Sequence, residues 1–250
     1  MALFSFKATL TAVTLSVFAG AAFAESGLGI TGATLRLGQS DHEVEGGFAE
    51  GTVDVAITDH HGIQFDLHYE ERSNGGIGRL GSVLYMMPRD GQKYGLSLMV
   101  ADKNDASSTY GQIGAAGMFE IAPDLNFEAR AGIGLSADND LDWITLGAGL
   151  HWQATEGTRV YAHYDLADFD EAHFGALAHE VSFGVQTRLG DSPAALFAEA
   201  SRDWLTGRNA AAGDTTLRAG LSISLGQTGN GQPAFRVSDP MRQLLRRGLY

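Results

Sequence analysis

The amino-acid sequence predicts an all-β chain, folded as an antiparallel up-and-down transmembrane β-barrel of about 12 strands. Three observations carry that expectation. Apolar and polar residues alternate with period two along most of the chain. The connections between the alternating segments are by turns tight and long. The composition holds 33 Gly but 5 Pro and no Cys, with a formal net charge of −13.

The N-terminal segment, "MALFSFKATLTAVTLSVFAGAAFA", has Lys7, then an uncharged apolar run, then Ala22-Phe23-Ala24. A small-x-small end after such a run marks a secretory signal peptide, so residues 1–24 are expected to be removed after Ala24. The following "GLGITG", Gly27 to Gly32, matches the glycine spacing of dinucleotide-binding folds. That fingerprint needs a strand before it and a helix after it, and neither pattern is present. It reads as the run-in to the first strand, and no cofactor is expected.

Twelve alternating segments follow, at 31–38, 48–58, 62–71, 77–87, 92–101, 109–121, 124–135, 141–153, 157–166, 172–189, 193–203 and 213–225. In "GIQFDLHYEE", Ile63, Phe65, Leu67 and Tyr69 share one face, opposite Gln64, Asp66, His68 and Glu70. In "DLNFEARAGIGL", Leu125, Phe127, Ala129, Ala131, Ile133 and Leu135 oppose Asn126, Glu128, Arg130, Gly132 and Gly134. Such alternation puts one set on each face of a strand. Two segments are ambiguous in phase: Val83 competes with Leu84, and Leu196 with Phe197.

Tight connections such as Pro88-Arg89-Asp90-Gly91, Ala122-Pro123-Asp124 and Thr155-Glu156-Gly157 alternate with "QSDHEVEGG", "DKNDASS", "ADFDEAH" and "LTGRNAAAGD". Strict alternation of short and long connections is the pattern of a meander crossing a membrane. A soluble β-sandwich also alternates, but its strands usually run about 5–6 residues and its polar face meets water. Here the polar faces are rich in Gly and Ser, for example Gly114, Gly132, Gly147, Gly149, Gly184, Gly220 and Ser222. Glycine weakens a water-facing sheet for no gain, whereas small residues suit the inside of a narrow barrel. The candidate lumen-lining polar residues are Arg36, Asp66, His68, Glu128, Arg130, Arg159, His163, Asp165, Arg188 and Arg218, with room to pair across the lumen. Tyr94, Tyr110, Trp143, Trp152, Tyr161, Tyr164 and Trp204 fall toward strand ends as interfacial anchors do, although Trp143 and Tyr161 share a phase with polar residues.

On these features the chain resembles the small bacterial outer-membrane β-barrels, over nearly all of residues 25–226. The resemblance is most specific in the last strand, where Arg218, Gly220, Ile223 and Leu225 stand at the positions of the family's assembly signal. The last two are aliphatic rather than aromatic, and 25 residues follow Leu225, where the family usually stops. The resemblance implies export to the outer membrane of a Gram-negative bacterium, insertion by the barrel assembly machinery, and contact with outer-membrane lipid and lipopolysaccharide. The function expected is a narrow porin-like channel for small hydrophilic solutes. The alternatives are a closed structural or adhesion barrel and, less favoured, a lipid hydrolase.

Catalytic and metal patterns are weak. "HYEERSNGG" resembles the His/Ser arrangement of outer-membrane lipid A deacylases, but His68 and Ser73 are five apart and fall on opposite faces. His163, Asp165 and Ser182 would meet in the lumen, where paired and hydrated polar groups are the simpler reading. No lipid-facing His/Ser pair of the kind the outer-membrane phospholipase uses is found. Neighbouring His60 and His61 diverge, and the loop with Asp168, Asp170, Glu171 and His173 lacks a calcium-loop pattern, so no metal site is assigned. The acidic loops are expected to meet divalent cations between lipopolysaccharide phosphates. After Lys7 is lost, 16 Lys and Arg face 30 Asp and Glu, which excludes a nucleic-acid face.

Residues 227–250 carry four Arg against one Asp. Asp239-Pro240 reads as the start of a short helix, with Met241, Leu244 and Leu245 on one face and Gly248 at its end. The segment is expected as a periplasmic basic tail, either without fixed structure or docked at the periplasmic mouth or on a periplasmic partner.

Overall fold

The computed structural model describes residues 29–41, 46–71, 75–103, 108–136, 141–226 and 232–249. The signal peptide and loop residues such as Ser73, Asp105 and Asp138 lie outside the described residues. Twelve strands form one closed antiparallel barrel. They are β1 (Ile30–Ser40), β2 (Gly47–Thr58), β3 (His61–Glu70), β4 (Ile77–Arg89), β5 (Gln92–Lys103), β6 (Ser108–Ala122), β7 (Leu125–Ser136), β8 (Leu141–Thr155), β9 (Thr158–Asp170), β10 (Gly175–Arg188), β11 (Ala194–Thr206) and β12 (Ala211–Gly226). Each pairs with its sequence neighbours, and β1 closes on β12 from Gly32 opposite Gly226 to Ser40 opposite Arg218. Both ends of the barrel therefore leave at the rim that carries the tight turns. One of those turns holds Asp124 at φ 63°, a left-handed conformation that Asp tolerates better than most residues.

The side-chain alternation has a physical outcome on each face. Outside, Leu80, Leu96, Ile133, Leu135 and Ile144 are 56–68% exposed and make the apolar belt that lipid covers in a barrel of this kind. Inside, the two ambiguous phases resolve. Val83 is 1% exposed and faces the lumen while Leu84 is 53% exposed, and Phe197 at 4% faces in while Leu196 at 54% faces out. Both faces of those strands are apolar because their inner faces are covered.

Phe197 is covered by Arg36 and Phe48 of the wall, and Val83 by the C-terminal segment. Residues 232–249 run inside the barrel, and Phe235, Val237, Met241, Leu244 and Leu245 join one apolar core with Tyr85, Met99, Tyr110, Trp143 and Phe169 from the wall. Removing such side chains from water stabilises by about 1.5–3 kcal/mol each. The tail enters beside the tight turns, where Gln232 donates to Asn126 and Lys93 Nζ donates to the Pro233 carbonyl. It climbs to the long-loop end, where Arg242 pairs with Glu70 and Arg247 with Asp203. Its helix, α1 (Met241–Arg246), closes at Gly248 (φ 64°), with Leu249 N bonding Leu244 O at 3.0 Å and Gly248 N bonding Leu245 O at 3.2 Å. That is the paired-bond C-cap that glycine makes possible.

Two expectations about this segment change. The helix sits at the opposite end from the tight-turn mouth, because its apolar face finds cover only among the lumen-facing aromatics. Asp239 does not cap it: Pro240 takes the N-cap position, and the Asp239 carboxylate turns to Tyr110 and Arg79 on the wall.

Candidate functional site

The candidate site is the lumen. Its wall differs by arc. On β12, β1, β2 and β3 the inward residues are chiefly polar, including Thr216, Arg218, Ser222, Arg36, Glu50, Asp54, Gln64, Asp66 and His68. On β4, β5 and β6 they are chiefly apolar, including Ile77, Val83, Tyr85, Met87, Met99, Ala101, Tyr110 and Met118. Strands β7 to β10 place charges at mid-height, Trp143 and Phe169 toward the long-loop end and Tyr161 toward the tight turns.

The polar arc is held by interlocked ion pairs. Glu50 meets Arg36 and Arg218 at 2.9 Å each and His68 Nδ1 at 3.3 Å, and Arg218 also lies 3.7 Å from Glu199. The Arg36 guanidinium lies over the Phe197 ring at 4.0 Å and that of Arg218 over Phe48 at 3.7 Å. Stacking of this sort holds a cation where water is scarce. The Phe48 ring fits because its neighbour is a glycine: a Cβ on Gly38 would meet it at 2.7 Å, and at the same seam one on Gly220 would meet the Leu37 carbonyl. Glycine serves the charged groups as well, since a Cβ on Gly147 would meet Asp165 at 2.5 Å and Arg130 at 2.8 Å.

Across the lumen, Arg130 bridges Glu128 at 2.6 Å and Asp165 at 2.7 Å. Glu128, His151 and His163 bring one ligand atom each to within 4.8 Å of one another, with His151 Nε2 3.4 Å from both Glu128 Oε2 and His163 Nε2. These are the residues of the lumen best spaced for a metal ion. Two guanidinium groups crowd them, Arg130 on the same Glu128 oxygen and Arg236 Nη1 3.2 Å from His163 Nδ1. Those fixed positive charges oppose a divalent cation. Ser182 Oγ lies 3.4 Å from His163 Nδ1, but Arg236 shares that nitrogen and the tail covers the pair.

The tail is satisfied by side chains of the wall rather than by a strand. The Gln64 amide both donates to and accepts from the Phe235 backbone, at 2.8 Å each way, and Arg236 N donates to Glu128 Oε1 at 2.9 Å. An extended segment buried without a neighbouring ladder needs such partners. Its arginines take carboxylates in sequence along the barrel. Arg236 bonds Glu180 at 2.9 Å and lies 3.5 Å from Asp165; Arg242 lies 3.6 Å from Glu180 and 3.8 Å from Glu70; Arg247 pairs with Asp203. A cavity of about 160 Å³ remains beside the tail, lined by Arg36, Glu50, Asp66, His68, Arg79 and Glu199 among others.

Of the residues singled out in the sequence, Arg36, Asp66, His68, Glu128, Arg130, His163, Asp165 and Arg218 point into the lumen. Arg159 bonds Gln153 near the tight-turn rim, and Arg188 is exposed there with its guanidinium on the Glu156 carbonyl. In the last strand, Arg218 and Gly220 serve the seam with β1, while Ile223 and Leu225 are half-buried on the opposite face. Three expected girdle residues are lumen residues, Tyr110, Trp143 and Tyr161, at 2%, 1% and 8% exposure. Trp152 and Tyr164 stand on the outer surface. Missed in the sequence were Glu180, Glu199, Asp203 and the tail arginines. Their signal was the contrast between a chain that is acidic up to residue 226 and a basic end.

No protein-family model matches the chain, and no curated protein matches it in sequence. Solved structures do match in shape. The NanC porin aligns at 10% identity and a TM-score of 0.56 over 77% of this chain and 100% of its own. An outer membrane channel from Pseudomonas putida F1 aligns at 11% identity and a TM-score of 0.56 over 80% and 96%. The KdgM porin, solved in complex with disordered oligogalacturonate, aligns at 11% identity and a TM-score of 0.53 over 78% and 99%. The chain has the fold of these outer-membrane porins and channels, a closed antiparallel β-barrel, here with residues 232–249 of the same chain inside.

Proposed function

We propose that the protein is an outer-membrane channel for small hydrophilic solutes that is shut by its C-terminal segment. The observation that carries this reading is the path of residues 232–249, which fill a porin-like lumen from the tight-turn rim to the long-loop rim and leave a cavity of about 160 Å³. A space that size holds only a few water molecules. The arc beside it is chiefly hydrophilic, as a solute path requires.

The test uses the absence of cysteine from the chain. A Cβ at position 81 would lie 3.2 Å from Val237 Cγ2, which suits a disulfide between Gly81→Cys and Val237→Cys. In planar bilayers the oxidised protein should carry no current, and reduction should restore the openings of the parent protein. Equal, non-zero current in both states would overturn the plug. The tight burial of Met241, Leu244 and Leu245, at 0–1% exposure, favours a second reading, a permanently closed structural barrel. Silence of the parent, reduced and oxidised proteins alike would establish it.

A further inference from the structure

We propose that the lumen is a binding path for guanidinium-bearing cations, and that the tail arginines occupy it as tethered stand-ins for such a solute. The proposal rests on the reading of the tail as a removable plug. Inside the lumen the wall presents nine carboxylates, Glu50, Asp54, Asp66, Glu70, Glu128, Asp165, Glu180, Glu199 and Asp203. It presents five cations between the rims, Arg36, Arg79, Lys93, Arg130 and Arg218.

The surplus is not spread evenly. Arg36, Arg130 and Arg218 are engaged with Glu50, Glu128, Asp165 and Glu199 at mid-height and at the seam. Toward the long-loop end the tail's guanidiniums reach Glu180, Glu70 and Asp203. Glu180 divides its two oxygens between two tail guanidiniums, Oε1 to Arg236 and Oε2 to Arg242. The Asp203 carboxylate and backbone carbonyl both accept from Arg247, and the Ala212 carbonyl accepts from its other nitrogen at 2.8 Å.

These sites are built for the flat, many-donor shape of guanidinium rather than for charge alone. Arg236 has acceptors in two directions, Glu180 and Asp165, with the His163 ring nitrogen in a third. Arg247 has three oxygens around one fork. A compact ammonium has fewer and freer donors and does not fill such a set. With the tail out, Glu180 loses both guanidiniums that its oxygens meet, and an incoming guanidinium restores that pairing.

The experiment measures L-arginine binding to the full-length protein refolded in detergent, by titration calorimetry, with L-citrulline as the uncharged isostere. The double variant Arg236→Gln/Arg242→Gln empties two sites while leaving the wall intact. It should bind arginine saturably, at least about tenfold tighter than the parent does, and should not bind citrulline. Adding Glu180→Gln should weaken that binding about tenfold. Indistinguishable arginine and citrulline, or a folded double variant with no saturable arginine binding, overturns the proposal. If the double variant does not give heat-modifiable, folded protein, Arg236→Gln alone is read by the same criteria. Bilayer recordings in an arginine chloride gradient separate this inference from the channel reading. Selective binding without current leaves the sites standing and removes the channel, while current that reverses toward chloride removes the cation path.

Discussion

The two arcs of the lumen wall solve the same problem in opposite ways. Along β12, β1, β2 and β3, the buried charges are held largely within the wall: Glu50 holds Arg36, Arg218 and His68, while Gln64 and Glu70 meet the tail at the Phe235 backbone and at Arg242. Along β4, β5 and β6, Val83, Tyr85, Met99 and Met118 are covered only because Phe235 and Val237 come to lie in the same core. One arc holds most of its charges within the wall, and the other depends on residues 235–245 for its cover. Affinity for the tail is thus supplied by the apolar arc, and its register by the carboxylates its arginines meet.

Four substitutions break or sharpen that contrast. Leu244→Asp puts a carboxylate where no exposure remains and should cost about 4 kcal/mol, undocking the tail while leaving the barrel closed. Trypsin should then cut after Arg236 and Arg242, sites protected in the parent, and continued protection would show that the apolar arc is not the anchor. Glu128→Ala leaves Arg130 buried at 6% exposure without its nearest carboxylate, and about 3 kcal/mol should be lost in urea unfolding. Gly220→Ala tests the polar arc at its seam, where the new Cβ meets the Leu37 carbonyl. A loss of about 2 kcal/mol and a lower temperature for the heat-modifiable shift are expected. Lys93→Met is the smallest: this cation lies buried in the apolar arc, over the Phe235 ring at 4.5 Å. An apolar replacement of similar length should change stability by less than about 1 kcal/mol.

The wall was legible in the sequence because each strand declares itself locally. Period two places Asp66 and His68 opposite Phe65 and Leu67 without any knowledge of the neighbours, and the rhythm of short and long connections sets the topology. The tail was not legible in the same way. Its helix could be read from Pro240, the apolar triplet and Gly248, but nothing local says where an apolar face will find cover. Phe235 meets Gln64 from 171 residues away, and Arg236 meets Glu128 from 108. The clue lay in β4, which refused a clear phase. Where Val83 and Leu84 are both apolar, the inner face must have an apolar partner, and the end of the chain is the segment that supplies it. The lumen aromatics follow the same logic: Trp143 and Tyr161 share a phase with polar residues because they sit over Gly134 and Gly184 on adjoining strands, inside the barrel rather than at its interfaces.

The tail's position also separates what is local in the chain from what is not. Every wall ladder except the closing one joins neighbours in sequence, so hairpins can form as soon as each pair of strands exists. The closing seam and the filled centre both need partners far apart in sequence, 190 residues between Thr34 and Ser224 and 171 between Gln64 and Phe235. The tail belongs to none of the strand ladders, so filling or emptying the centre changes no strand pairing.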